Sequence, residues 1–299
     1  MKLLITGGTG QVGFELQHSL QLHGQCLAPK RQTLDLSDSQ AVDAYLIENR
    51  PDIIINAAAY TAVDLAENNQ ALAYRLNAEL PQQLAEYSQQ NQVPLIHYSS
   101  DYVYAGTGQT AWLENSPTAP QNLYGQSKLA GDQAIIASGC RALIFRTSWV
   151  YSARCHNFMK TLLRLAQEKE TLSIVNDQIG APTPARLIAQ VTALAIRRKD
   201  TQANWLANPF NLADGVYHLA PRGETSWYQF AENIIEHARN ADMALKTKQI
   251  KGIPTQQYPT PATRPLNSRM SLNKLESALA IQLPDWQSAL KLTIREYLS

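Results

Sequence analysis

Residues 2–20 read KLLITGGTGQVGFELQHSL, and this stretch decides the fold. Lys2 to Thr6 is a short, mostly apolar run of strand character, and glycines follow at once. Gly8-Thr9-Gly10-Gln11-Val12-Gly13 fits G-x-G-x-x-G, and Gly7, Gly10 and Gly13 recur every three residues. A helical pattern through Phe14, Leu16 and Leu20 comes next. Strand, glycine turn and helix, in that order, are the context that a dinucleotide fingerprint needs. Glycine lets the backbone turn tightly and approach a pyrophosphate, and the free N–H groups at the helix start attract it.

Outward from this unit the alternation continues. A strand near Gln25 to Ala28 leads into Pro29-Lys30-Arg31. An NAD-selective site carries an acid about 20 residues beyond the glycines, to hold the ribose 2′-hydroxyl. Two cations there suit the 2′-phosphate of NADPH better than NADH, and a pair of solvated loop cations is the plainer alternative. Asp35-Leu36 closes another short run, where an adenine contact is expected. A helix from Ser37 or Asp38 to about Asn49 precedes the strand Ile53 to Asn56. The segment after it, Ala57-Ala58-Ala59-Tyr60-Thr61, is rich in small residues, as backbone passing close to a flat ligand requires. A helix spans roughly Ala71 to Asn91, and further strands run from Val93 to Ser99 and from Leu143 to Trp149. Strands separated by helical patterns specify an α/β protein with a doubly wound, Rossmann-type parallel sheet covered on both faces. Ligands of such sheets lie at the carboxyl ends of the strands. Gly10, Ala59, Ser100 and Trp149 all fall at such ends.

Tyr124 and Lys128 stand four apart in a helical pattern, hence one turn apart on one face. An ammonium beside a phenol favours the phenolate, so the tyrosine's pKa is expected to fall toward a range useful for proton transfer. Ser100, at the end of a different strand, offers a hydroxyl to the reacting oxygen. The Tyr-x-x-x-Lys spacing arises by chance in many helices. The glycine motif upstream is what gives it weight.

Composition removes other classes. The chain has 299 residues, with 44% apolar and 17% charged side chains, as in ordinary globular proteins. With 26 basic and 25 acidic side chains the net charge is +1, which gives no electrostatic case for nucleic acid or an anionic membrane. Cys26, Cys140 and Cys155 are few, odd in number and widely spaced, so they form neither a disulfide framework nor a Cys-x-x-Cys metal site. No apolar run reaches membrane-spanning length and no signal-peptide layout opens the chain, so the cytoplasm is the expected compartment. Neither His-Glu-x-x-His nor Gly-x-Ser-x-Gly occurs, which sets aside zinc hydrolases and serine esterases.

The glycine motif, Asn56-Ala57-Ala58-Ala59, Ser99-Ser100-Asp101-Tyr102-Val103-Tyr104 and Tyr124-Gly125-Gln126-Ser127-Lys128 together resemble the extended short-chain dehydrogenase/reductase superfamily. Three later segments narrow this resemblance. They are Phe145-Arg146-Thr147-Ser148-Trp149-Val150-Tyr151, Asn176-Asp177-Gln178-Ile179-Gly180-Ala181-Pro182-Thr183, and Tyr258-Pro259-Thr260-Pro261 with Arg264-Pro265. Over essentially the whole chain these are similar to the dTDP-4-dehydrorhamnose reductase family, which closes dTDP-L-rhamnose synthesis.

The resemblance implies that Tyr124 donates a proton to the substrate C4 oxygen, and that Lys128 holds the nicotinamide ribose and depresses the tyrosine pKa. Ser100 stands where the family commonly has threonine and keeps the hydroxyl. Gly10, Gln11 and Val12 are implied at the pyrophosphate, with Asp35, Leu36, Ala59, Tyr60, Thr61 and Tyr98 lining the rest of the cofactor. Asp101 and Trp149 are implied at the sugar of a dTDP-keto-sugar substrate. From the residues alone, Asp101 also reads as a turn cap and Trp149 as core. Some family members form homodimers bridged by magnesium through glutamates. Glu15 and Glu296 match two of those positions, but Arg186 stands at the third and would repel a divalent cation. A monomer, or a dimer held another way, is therefore expected. The other functions in view are another nucleotide-sugar reductase or epimerase, and a non-catalytic cofactor-binding subunit similar to the methionine adenosyltransferase β subunit.

Residues 1–151 read as the dinucleotide-binding domain, with later segments returning to it, and 152–299 as a smaller, mixed α/β substrate lobe. Within that lobe a helix is expected from Asn157 to Gln167, strands at Leu172 to Val175 and Val216 to Leu219, and a helix capped by Ser226. Tyr258 to Arg269 is proline-rich with two arginines, a loop suited to clamp a diphosphate or to serve as a surface linker.

Overall fold

A computed structural model describes residues 1–197 and 208–298. Among these residues six strands form the central sheet: β1 (Lys2–Thr6), β2 (Gln25–Leu27), β3 (Ile53–Asn56), β4 (Leu95–Ser100), β5 (Ala142–Thr147) and β6 (Gly215–His218). Their spatial order is β6-β5-β4-β3-β1-β2, with every pair parallel. The chain steps from β1 outward to β2 and then returns to place β3 on the other side of β1. That reversal is the topological switch point where such sheets open a crevice.

The strands are apolar on both faces because helices cover both. On one face Leu3, Ile5, Ile55, Ile96 and Phe145 pack with helix residues Leu16, Ile188 and Val191. On the other, Leu4, Ile54, Leu95 and Ile144 pack with Val42, Leu46, Leu84 and Ile135. A third cluster, built on Met159, Leu163, Phe230, Ile234, Trp286 and Ile294, joins the helices Phe158–Glu168, Trp227–Asn240 and Trp286–Leu298. Among the described residues three small two-stranded sheets accompany it, including Thr171–Val175 paired in parallel with Gln249–Ile253. Among the described residues, no helix is long and apolar enough to cross a membrane.

Several ends form for local reasons that the sequence carries. Ser226 caps Trp227–Asn240 in a capping box with Gln229, and Asn157 caps Phe158–Glu168 through the Lys160 N–H. β6 and the helix Ala185–Ala195 come from the second half of the chain yet serve the first sheet and its core.

One helix differs from expectation. The run expected from Ala71 to Asn91 is divided into Gln70–Tyr74, a π-helical turn Arg75–Glu79 and Leu80–Asn91. Pro81 supplies the reason: it has no N–H to offer the Asn77 carbonyl four residues back, and its ring crowds that carbonyl. The widened turn releases the Asn77 backbone oxygen toward the next helix. A Cβ added at Gly131 would stand 2.1 Å from that oxygen, so glycine is what lets the two helices close.

Candidate active site

The glycine loop is packed by necessity. A Cβ on Gly13 would lie 2.2 Å from the Gly7 carbonyl oxygen, and one on Gly7 would lie 2.7 Å from that of Ala57. Gly7 also takes φ +67°, a left-handed conformation that glycine adopts without cost. Beyond it, Gly10 is the N-cap of Gln11–Ser19 and offers no side chain to its first turn, which carries no acid either. The first-turn N–H groups are thus left to an anion, and these residues fit a dinucleotide pyrophosphate. Gln11 is steadied from the far side: its Oε1 accepts from Ser152 Oγ at 3.0 Å and Asn157 Nδ2 at 2.9 Å. Val12 packs against the core beneath the loop.

At the β2 end Lys30 and Arg31 are exposed. Arg31 pairs with Asp35 at 3.5 Å, and Ser37 donates to the same carboxylate at 2.7 Å. Those Ser37 bonds, followed by Arg31, hold the Asp35 carboxyl below its ordinary range. Leu36 is half-buried against the second core cluster. Beyond β3, Ala59 and Tyr60 are half-buried and Thr61 exposed. Both backbone groups of Tyr60 are gripped by one amide: its N–H donates to Asn77 Oδ1 at 2.8 Å, and Asn77 Nδ2 donates to its carbonyl at 3.1 Å. The same Nδ2 reaches Ser127 Oγ at 3.0 Å, tying this loop to the helix Leu123–Ser138.

That helix begins at Asn122, whose Oδ1 caps the Gly125 N–H at 2.8 Å while its Nδ2 donates to the Thr263 carbonyl at 2.8 Å. Tyr124, Lys128 and Asp132 follow at successive turns. The Tyr124 ring is half-buried and meets Tyr102 edge-on at 5.4 Å. Burial drives its hydroxyl well above the ordinary phenol range, against a downward pull from Ser100. The fall expected from Lys128 is therefore not realised, because loss of solvent dominates the environment of this hydroxyl. Lys128 is fully buried, and Nζ donates to the Tyr98 carbonyl at 2.7 Å and lies 3.2 Å from His97 Nε2. Burial pulls Lys128 down to about 8, partly countered by Asp132.

Asp132 is itself buried and paired with Arg146 of β5 at 3.0 Å, and Arg146 Nη1 donates to Tyr104 Oη at 2.8 Å. Burial pushes the Asp132 carboxyl above its ordinary range, while Arg146, Ser99 and Lys128 draw it back.

Ser100 and Asp101 leave β4 together, with Ser100 Oγ donating to Asp101 Oδ1 at 3.0 Å. Burial pushes Asp101 up to about 6, with Ser268 and Ser100 pulling it back. Trp149 follows β5 in a left-handed conformation, φ +50°, that a bulky residue adopts only when its surroundings impose it. Its indole stacks on Trp227 at 3.9 Å with 17° between planes, and Gly180 lies so close that a Cβ there would meet the ring at 3.1 Å.

Tyr98 departs from its expected place. Its ring is buried in the core and its hydroxyl bonds Thr192 Oγ1 at 2.7 Å, so only its carbonyl faces the site. Strand alternation is the reason: His97 takes the Lys128 side and Tyr98 the opposite face. The arginines of the proline-rich loop hold carboxylates: Arg264 meets Asp64 at 2.6 Å and Arg269 meets Glu224 at 2.6 Å. Glu15 and Glu296 share Arg186, at 3.1 and 2.8 Å. The cation between those two glutamates is thus a guanidinium, and these residues do not fit a divalent metal.

A family model described as the RmlD substrate binding domain matches residues 1–299. The dTDP-4-dehydrorhamnose reductase of Shigella flexneri is 44% identical over 300 residues, covering 99% of this chain and 98% of that protein. This chain belongs to the dTDP-4-dehydrorhamnose reductase family. Among solved structures, the Clostridium acetobutylicum reductase superposes with a TM-score of 0.88 at 30% identity, over 100% of both chains. The Bacillus anthracis reductase, solved in complex with NADP, gives 0.87 at 32% identity, over 99% of both.

Reading the sequence missed His97, Asn77, Asp132, Arg146 and Trp227. Asp132 had a usable signal, four residues beyond Lys128 on the same face. His97 had a signal too, as a lone imidazole in the apolar run that leads into Ser99 and Ser100. Asn77 and Trp227 act through contacts distant in sequence, which no local pattern discloses.

Proposed function

We propose that this protein is an NADPH-dependent reductase that converts dTDP-4-dehydro-L-rhamnose to dTDP-L-rhamnose. The observation that carries the reading is the burial of Lys128 one turn above Tyr124, beside Ser100, at the carboxyl ends of β4 and β5. Bound NADPH supplies the hydride for C4 of the keto-sugar. Tyr124 supplies the proton to the C4 oxygen, and the Ser100 hydroxyl steadies that oxygen as charge develops on it. A phenol lifted by burial stays protonated until it is needed, which suits a proton donor. Lys128, as an ammonium, reaches the nicotinamide ribose and stabilises the phenolate left behind.

Gly7, Gly10, Gln11, Val12 and Gly13 hold the pyrophosphate, Lys30 and Arg31 the 2′-phosphate, and Asp35, Leu36, Ala59, Tyr60 and Thr61 the adenosine half and its surroundings. Asp101 accepts a sugar hydroxyl and Trp149 presents its indole to the sugar. Residues 152–299 contribute most of the substrate side, apart from the segments that return to the sheet. The Glu15–Arg186–Glu296 group supports a monomer or a homodimer without a bridging metal.

The test is loss of NADPH absorbance on adding freshly generated dTDP-4-dehydro-L-rhamnose, with dTDP-L-rhamnose identified as product. Tight NADPH binding with no turnover would overturn the reading in favour of a different keto-sugar or a regulatory role.

A further inference from the structure

Three strands place one polar side chain each at the same level of an otherwise apolar sheet. Thr6 of β1 is in register with Asn56 of β3, and Asn56 with His97 of β4. All three are buried to within 1% exposure. Thr6 Oγ1 lies 2.6 Å from Asn56 Oδ1, and Asn56 Nδ2 lies 3.0 Å from His97 Nδ1. At one end the ladder accepts the Ala58 N–H at 3.3 Å, in the loop after β3 that packs on Gly7. At the other, His97 Nε2 stands 3.2 Å from Lys128 Nζ. Polar groups in a core cost stability unless they are satisfied, so a ladder that ends on a buried lysine calls for a reason.

We propose that His97 is a positioning residue for Lys128, and that the Thr6–Asn56–His97 ladder sets the hydrogen-bonding needs of the lysine from the cofactor loop. The inference rests on the reductase reading for its catalytic consequence, though not for its structural core.

Hydrogen-bond direction makes the argument. A neutral imidazole has one N–H and one acceptor nitrogen. With Ala58 donating to Thr6, Thr6 to Asn56 Oδ1 and Asn56 Nδ2 to His97 Nδ1, the ring proton lies on Nε2 and meets an amine at Nζ. When Nζ is an ammonium, Nε2 must accept, the ring proton moves to Nδ1, and the Asn56 amide turns over to receive it. Each charge state of Lys128 therefore matches one orientation of the Asn56 amide and one tautomer of His97, while the Ala58 N–H donates to Thr6 in both. His97 serves both because burial, then the Lys128 charge, keep the imidazole neutral far below its usual range. The other groups around Lys128 are Tyr124 and Asp132 on its own helix, the Tyr98 carbonyl on β4, and Arg146 on β5 behind Asp132.

An acceptor for an ammonium contributes more than a partner for a neutral amine. Removing it from a buried lysine lowers the pH at which the ammonium is lost. The expected result for His97→Leu is a fall in kcat of about tenfold or more. Its alkaline limb moves to lower pH, with NADPH affinity changed far less than kcat. His97→Gln, which keeps an amide within reach of Nζ, restores most of kcat and moves the limb back. A folded His97→Leu enzyme with the wild-type kcat and pH profile, or a Gln variant no better than Leu, overturns the proposal.

Because the Leu variant can fail to fold, a second measurement uses the wild-type protein with isotope-labelled imidazole nitrogens. His97 should stay neutral from about pH 6 to about pH 9 and change tautomer as Lys128 titrates. A His97 that protonates near its ordinary value, or holds one tautomer throughout, overturns it. The nitrogen spectrum needs no turnover. A wild-type protein that shows the tautomer change yet reduces no sugar defeats the reductase reading alone.

Discussion

Arg146→Leu tests the electrostatics beneath the site. The guanidinium and its partner Asp132 are 5% and 0% exposed, and their bond is 3.0 Å long. Removing the cation leaves a carboxylate in the core with Lys128 as its remaining cationic neighbour. Breaking such a pair costs about 3–5 kcal/mol, because the surviving charge is uncompensated. That is a large share of the roughly 5–15 kcal/mol that holds a domain folded. At about 2–4 °C per kcal/mol for a chain of this order, the melting temperature should fall by roughly 6–20 °C.

The sign of the pH dependence follows from the same group. Without Arg146 the folded-state pKa of Asp132 rises further above its unfolded value. Protonation then favours the folded state, so the deficit of the variant shrinks as pH falls toward the unfolded carboxyl value and is full above the raised one. Urea unfolding at about pH 8 and about pH 5 measures this directly. Asp132→Leu combined with Arg146→Leu removes both charges and should recover much of the loss. A loss below about 1 kcal/mol, a deficit that grows on acidification, or a double variant no better than the single one would refute the reasoning.

Tyr124→Phe should bind NADPH within a few-fold of wild type while kcat falls by about 10²–10⁴, the range for losing a positioned acid; equal turnover would remove Tyr124 from that role. Lys30→Ala with Arg31→Ala should weaken NADPH by about tenfold or more with little change in NADH, as binding titrations of both cofactors would show. An unchanged ratio means that these cations do not read the 2′-phosphate. Gly13→Ala puts a Cβ 2.2 Å from a carbonyl oxygen and should lower both NADPH affinity and thermal stability, read by fluorescence titration and melting. Wild-type affinity in that variant would show that the loop opens at little cost.

The sheet was legible because its signals are local. Lys2–Thr6 with its glycines, and the apolar runs Ile53–Asn56 and Ala142–Thr147, need both faces covered, and only a parallel sheet between helices does that. The ends of Trp227–Asn240 and Phe158–Glu168 were legible too, since Ser226 and Asn157 act on N–H groups three residues away. The π turn at Arg75–Glu79 was not, although Pro81 marked the place: a helix accepts proline in more than one way, and the fit of the Asn77 carbonyl against Gly131 joins residues distant in sequence. The site divides in the same manner. Tyr124 and Lys128 announce themselves by spacing, and Ser100 by its strand end. The tyrosine's upward shift did not, because it comes from burial of the hydroxyl, which spacing along one helix does not disclose. Spacing reveals neighbours along a helix and says little about desolvation.

One helix face carries a phenol, an ammonium and a carboxylate at Tyr124, Lys128 and Asp132, and β5 adds the guanidinium of Arg146. Alternating charges in a dry core stabilise one another only as a row. Asp132 draws Lys128 toward the ammonium against burial, and Arg146 draws Asp132 toward the carboxylate. Tyr104, bonded to both Arg146 and His218, carries the row to β6, where the 2.6 Å contact with His218 Nε2 ends it at a neutral ring. The surroundings of Tyr124 and Lys128 are thereby tied to groups on two further strands. Changes at Arg146 or Asp132 should consequently appear in the pH profile of Tyr124 and Lys128 as well as in stability. A substitution confined to the exposed face of the same helix, at Gln126 or Gln133, has no such route to the site.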